Sequence, residues 1–294
     1  MLDRVPPILV AALASVLGGT SFVASRYVVA EGDPATIAFL RYAVAGALFA
    51  LGAYLSTGRR PAVSRADLAP TLALGVMMFA GFGWLFTAAT QYIPAARAAL
   101  IVAAMPVTAL LLALALGRER ATWTKAIACA LAIGGVAVAL GDKATGGPDA
   151  WRGDLFMILA AIVGGAHTVL SADYVRRYAP QPLIAIQCLA GASALALVLI
   201  VSGDHAGPWG YTPGGWAALF WLAVPGGYLS FYLWFRALER IPASRVALCV
   251  TLNPLAAALG GALILDETVG ARLLLGFAFV AGAIALAGRA RGAS

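Results

Sequence analysis

Charge is scarce in this chain. Only 11 % of its 294 residues are Asp, Glu, Lys or Arg, against a hydrophobic fraction of 62 % and a mean hydropathy of +0.90. A soluble domain carries about 25 % charged residues, so this composition excludes a surface that faces water throughout. Cysteine is scarcer still. Cys129, Cys188 and Cys249 lie inside apolar runs with no paired spacing, the pattern of small buried apolar side chains and not of a metal site or disulfide framework. No Gly-Lys-Ser/Thr loop is present, which excludes ATP-driven work by this chain alone. Acidic residues avoid the middle of every apolar run: Glu119, Asp154, Asp173, Glu239 and Glu267 all sit near ends. With one histidine in such a run, no carboxylate pair and no metal-ligand spacing, a membrane-embedded enzyme has nothing to work with, and no cofactor is implied. Lysine occurs twice against 18 arginines, the bias of a GC-rich bacterial genome.

What the chain has instead is apolar length. Runs near 20 residues recur, enough to cross about 30 Å of hydrocarbon at about 1.5 Å per residue. Ten spans are expected, at 8–29, 35–55, 69–91, 95–116, 122–141, 152–175, 182–202, 213–238, 243–265 and 270–288. The first is longer than a signal-peptide core and is followed by an acidic loop (Glu31, Asp33), not by a cleavage pattern, so it reads as a retained span. Short connections such as Gly-Asp-Pro at 32–34 and Gly-Gly-Pro at 146–148 leave no room for a separate soluble domain. Fourteen basic residues gather on one side and five on the other, with Arg41 inside span two. That bias places both termini in the cytoplasm, and the net charge of +7 belongs to inner loops, with no nucleic-acid partner.

The chain is also duplicated. Residues 93–106 and 241–254 match at eight of fourteen positions without a gap, an offset of 148 that also carries Glu119 onto Glu267 and Gly134 onto Gly282. Five spans per copy is an odd number, so the second copy enters the membrane from the opposite side. The expected fold is an all-α polytopic membrane protein: ten transmembrane helices in two inverted five-helix repeats, 1–146 and 147–294. Such repeats exchange inward and outward access by rocking about a central site. One chain with an internal pseudo-dimer can form a complete site, which favours a monomer.

Candidate residues follow from polarity and helix-breaking at membrane depth. Pro94 and Pro242 open their helices; Pro106 and Pro254 come twelve residues later, at about 18 Å of rise, where each kinks its helix as a hinge or cavity wall. Asn253 beside Pro254, where the repeat partner is the apolar Met105, is either a substrate ligand or a helix–helix hydrogen bond. His167, 15 residues after Arg152, pairs in the repeat with Ser21; it either handles a proton or substrate carboxylate, or is an interhelical donor. Arg41 reads as a snorkelling anchor before a substrate ligand. Arg97 and Arg245 read as helix-end anchors that face opposite mouths. Trp84 and Tyr232 are repeat partners, and Tyr228 shares a helical face with Tyr232; aromatic lining suits a permissive, apolar cavity. Glycine pairs at 18–19, 164–165 and 260–261 allow close helix approach.

These residues resemble the EamA-type drug/metabolite transporter superfamily. Residues 17–27, the opening Leu-Gly-Gly-Thr-Ser-Phe-Val-Ala-Ser-Arg-Tyr, are similar to its first helix, with Gly18 where tryptophan is common; Pro34 to Arg41 resembles its second. Pro106 with Glu119, and Pro254 with Glu267, resemble its fourth helix in each repeat. Gly134-Gly135-Val136 and Gly282 resemble its closing helices. Within the family the chain looks most like the YddG-type amino-acid exporters. The resemblance implies a multi-pass protein of the bacterial inner membrane, with a cavity from helices 1, 3, 4, 6, 8 and 9, that exports amino acids or related metabolites. A multidrug or other small-solute exporter of the same fold is the alternative.

Overall fold

The structure, a computed structural model, describes residues 5–57, 63–118, 122–141, 147–203, 210–241, 246 and 249–291, and the side chains to residue 286. Every regular element among them is a helix. Eight are long and apolar enough to cross a membrane: α1 (Pro7–Val28), α2 (Pro34–Thr57), α3 (Arg65–Ala89), α4 (Ala95–Ala115), α5 (Trp123–Leu140), α6 (Ala150–Arg177), α7 (Pro180–Ser202) and α8 (Pro213–Leu238). Two further helices are shorter in their described apolar parts, α9 (Leu252–Ile264) and α10 (Ala271–Arg291), where spans of 243–265 and 270–288 are expected. Pro242, Arg245 and Glu119 lie outside the described residues.

Local chemistry sets the helix starts. Pro7 and Pro213 stand in the first turn, where a missing N–H costs nothing. Side-chain oxygens of Asp33, Ser64 and Thr212 accept from the backbone N–H of Thr36 (2.9 Å), Asp67 (3.2 Å) and Gly215 (3.1 Å). Gly203 ends α7 in the left-handed region, φ 67°. Large apolar side chains stay on the outside: Val201 is 77 % exposed and Leu263 76 %. Such a surface is stable only against hydrocarbon. The protein is a multi-pass membrane protein.

Two of the long helices carry a π-helical turn, Val76–Phe82 in α3 and Val224–Leu229 in α8. Both begin at the same repeat position, 148 residues apart. Breaks also recur in α4 and before α9. In α4 the helix is interrupted at Ala104, whose N–H turns back to Ile101 O at 3.1 Å, two residues before Pro106. A turn at Val250–Thr251 likewise precedes Pro254. Pro254 therefore stands in the first turn of α9 and does not kink a continuous span. The reason is local: each proline ring crowds the carbonyl four residues back and withholds an N–H, so the chain breaks on the N-terminal side and restarts.

The main packing pairs are α2 with α7, α5 with α10, α4 with α9, α1 with α9 and α8, α6 with α4 and α3, and α3 with α7 beside α8 with α2. Exchanging each helix for the one five places along the chain converts this set into itself.

Candidate functional site

Two helix crossings are brought close by paired glycines. On one, Gly18 and Gly19 of α1 meet Asn253 of α9. A methyl at Gly19 would strike the Asn253 carbonyl oxygen and come within 2.8 Å of the Ala256 Cβ. On the other, Gly164 and Gly165 of α6 meet Met105 and Thr108 of α4, and a methyl on either glycine would overlap those side chains. Thr108 ties that crossing by donating to Ala161 O at 2.7 Å. Met105 and Asn253 are the residues before the two repeat-related prolines. Each repeat's opening helix is thus seated on the broken helix of the other.

At the first crossing polar side chains face Gly18, where an added methyl would sit at ordinary contact distance. A Cβ there would lie 3.4 Å from Ser230 Oγ and 3.7 Å from Asn253 Nδ2. Ser230 donates to Ala14 O at 2.8 Å, while Asn253 Oδ1 is buried with no partner. Ser21 is close by but fully packed: 2 % exposed, its hydroxyl on Leu17 O at 3.2 Å and against Gly226 in the π turn of α8. It belongs to the α1–α8 seam. Tyr228 and Tyr232 stack on each other, centroids 6.0 Å apart at 18°, and Tyr228 meets Phe49 edge-on at 4.8 Å. Both are half-buried.

The other expected residues stand apart from this group. His167 Nε2 donates to Gln187 Oε1 on α7 at 3.2 Å, and the amide nitrogen of Gln187 is buried without a partner. Trp84 is 39 % exposed and packs on Phe156 of α6, centroids 5.6 Å apart. Its repeat partner Tyr232 instead packs in the cluster formed by α1 and the end of α8. Gln187 and Ser230 were not singled out by sequence reasoning. Their one signal is polarity within apolar or aromatic runs.

Arg97, read from sequence as an anchor, is 3 % exposed as a residue and forms a two-pronged pair with Asp154 of α6: Nε to Oδ1 at 2.8 Å and Nη2 to Oδ2 at 2.7 Å. It also donates to Leu140 O at 3.0 Å, tying α4, α5 and α6 together.

One mouth of the bundle is cross-linked by polar contacts. Arg26 at the end of α1 donates to the carbonyls of Thr90 and Gln91, each at 2.8 Å, and Ser25 bonds Thr90 at 3.0 Å. Glu267, beyond α9, caps α4 by accepting from Ala95 N at 2.9 Å and stands 3.5 Å from Arg26 Nε. Glu31 accepts from Thr212 N and Oγ1, both at 2.8 Å. A recess of about 400 Å³, lined by Arg26, Tyr27, Ala30, Glu31, Leu265 and Glu267, opens there. At the opposite end the described ion pairs include Asp67 with Arg177 at 2.8 Å, Arg118 with Asp173 at 3.7 Å, and Arg236 with Glu239 at 2.8 Å at the end of α8.

Burial raises the Glu267 carboxyl above its ordinary range, partly opposed by the Ala95 N–H and by Arg26. Between the ordinary value and the raised native one, the folded chain holds the proton that the unfolded chain has lost. Stability therefore falls as pH rises through that window. Thermal midpoints measured across it should decline for the wild type and flatten for Glu267→Gln. Pro106→Ala should heal the break at Ala104, recover up to about 3 kcal/mol of helix stability, and slow any movement that uses the break.

Comparison with known proteins decides what this architecture belongs to. The model of the EamA-like transporter family matches twice, over residues 5–141 and 151–289. The chain belongs to the EamA-like transporter family. Among proteins similar to this EamA-like chain is an uncharacterized transporter of Archaeoglobus fulgidus, 24 % identical over 272 residues, covering 92 % of this chain and 95 % of that one. Another is the uncharacterized transporter YdeK of Bacillus subtilis, 26 % identical over 261 residues, covering 85 % of each. A solved crystal structure superposes with a TM-score of 0.69 at 22 % identity and 96 % coverage of both chains, and shows the same fold. The protein is a membrane transporter of the drug/metabolite type for small molecules.

Proposed function

We propose that this EamA-like transporter exports amino acids, neutral and aromatic ones included, and related metabolites across a bacterial inner membrane. It does so by alternating access as a monomer of ten spans, in two inverted repeats at 1–146 and 147–294, with both termini in the cytoplasm. One observation carries this reading: the two crossings, Gly18–Gly19 on Asn253 and Gly164–Gly165 on Met105–Thr108, are repeat-related. Two arrangements of equal design that exchange partners are what a rocking mechanism needs. The cross-linked mouth at Arg26, Glu31 and Glu267 supports a state closed on that side. The substrate ligands are Asn253, Tyr228 and Tyr232; Ser21 is sealed in the α1–α8 seam, and Trp84 and His167 stand apart on α3 and α6. Pro106 and Pro254 are the hinges.

The sequence places no Asp or Glu in the middle of an expected span, which supports transport down the solute gradient over a carboxylate proton relay. His167 then orients Gln187 and does not carry a proton. Uptake of labelled amino acids into liposomes containing the purified chain tests this reading, with and without an imposed pH gradient. Saturable uptake that ignores the gradient, in the wild type and in His167→Gln alike, is expected. Uptake only under the gradient, lost in the variant, would make His167 the coupling group. Uptake of hydrophobic drugs but of no amino acid would move the chain to the multidrug reading.

A further inference from the structure

One interior charge, Arg41, has no counter-charge among the described residues. Arg41 is 7 % exposed and sits seven residues into α2, at about 10 Å of helical rise from Pro34. Its Nε is buried without a partner, and among the described residues it has neither a hydrogen bond nor an ion pair. The contrast with Arg97, matched to a carboxylate and a carbonyl, is complete. A snorkelling anchor would reach for the membrane surface. Arg41 instead holds its guanidinium carbon 5.1 Å from the ring centre of Tyr42 and 5.2 Å from that of Phe86.

Those rings are fixed from behind. Tyr42 lies edge-on to Phe79 at 5.1 Å and rests on Gly83, where any side chain would displace it. Phe86 packs on Phe22 at 4.8 Å and stacks on Phe82 at 5.8 Å. Phe82 continues to the α4–α6 crossing, 3.4 Å from where a Gly164 Cβ would lie. The cation is therefore held in place on an aromatic wall that runs to the α4–α6 crossing. Ring faces attract its charge but accept none of its N–H donors, which remain unmet. A fixed guanidinium fork at low dielectric is matched by one group above others, a carboxylate bound by two parallel hydrogen bonds.

We propose that Arg41 receives the carboxylate of the transported solute, so that the substrates are small carboxylate-bearing molecules and organic cations are rejected. This rests on the export reading above and narrows it: the amino acid is recognised by its carboxylate, while the aromatic wall accepts varied side chains. An intramembrane charge that no protein group neutralises is costly until the solute supplies the partner.

The test compares acids with their amides, which lack the carboxylate charge, on the purified full-length protein. Thermal midpoints are read with L-leucine, L-phenylalanine, benzoate and succinate, and with L-leucinamide, L-phenylalaninamide and benzamide. Acids should raise the wild-type midpoint and amides should not. Arg41→Gln should lose the response to acids, with apparent affinity falling at least about tenfold, while Arg41→Lys keeps the charge and an intermediate response. The unliganded Arg41→Gln midpoint should match or exceed that of the wild type, because an unmatched charge has gone; a lower one would make Arg41 a structural anchor. Should that variant not fold, the acid–amide comparison on the wild type and Arg41→Lys still decides. Equal responses to acids and amides, or none to any acid, would overturn the role of Arg41 and leave transport standing. A response to benzoate or succinate but to no amino acid would keep Arg41 and remove the amino-acid reading.

Discussion

Replacing Asp154 by alanine should destabilise the protein by about 3–5 kcal/mol, the cost of leaving a buried partner charge uncompensated. The side chains of Arg97 and Asp154 are only 4 % and 13 % exposed, so solvent cannot take over the charge that remains. Arg97 would keep the Leu140 carbonyl and lose both carboxylate contacts. The double variant Arg97→Met with Asp154→Leu removes both charges and should regain most of the loss, because matched removal spares the desolvation penalty. Thermal unfolding of the three purified proteins gives the comparison. An Asp154→Ala midpoint equal to that of the wild type would mean that the pair contributes nothing to holding α4, α5 and α6 together.

Gly19→Ala should cost about 1–3 kcal/mol, and Gly19→Leu more, with transport lost. The added methyl meets backbone, which cannot swing aside as a flexible side chain does, so α1 must back away from α9. Gly134→Ala is the matched control. It lies in α5 with nothing within 4 Å of the new methyl, and a mid-helix glycine replaced by alanine gains about 0.5–1 kcal/mol. Opposite signs for two identical substitutions are expected from unfolding curves. Equal effects would show that the α1–α9 crossing is not close-packed in the membrane.

The difference between these two glycines marks the limit of what the sequence discloses. Apolar length locates the long helices to within a few residues, because crossing hydrocarbon is a demand on composition. The duplication is legible because the Ile-Pro…Pro spacing survives in both copies. Which glycine meets backbone is not legible, since that depends on a helix more than two hundred residues away. The π turns at Val76 and Val224 carry no common residue pattern; only Pro225 hints at one of them. The prolines stand just after both breaks, yet where the helix breaks depends on the carbonyls before them.

The site is less legible than the fold. Ser21 and His167 correspond in the repeat, but Ser21 is sealed against Gly226 while His167 reaches Gln187. Trp84 and Tyr232 correspond too, and one packs on Phe156 while the other stacks on Tyr228. Equivalent positions diverge where their neighbours do, and single-sequence reasoning does not see neighbours. Arg41 shows the same limit: its place in span two is plain, whereas its cage depends on Phe86 of another helix.

Alternating access about the Asn253 crossing is tested most directly by cysteine accessibility. Cys129, Cys188 and Cys249 would first be replaced, and a single cysteine placed at position 253 in a background that still transports. A membrane-impermeant thiol reagent is then added from either face of oriented vesicles. Labelling from both faces, slowed by a transported solute on both, is expected. Labelling from one face alone, whether or not solute is present, would contradict a site shared between two access states.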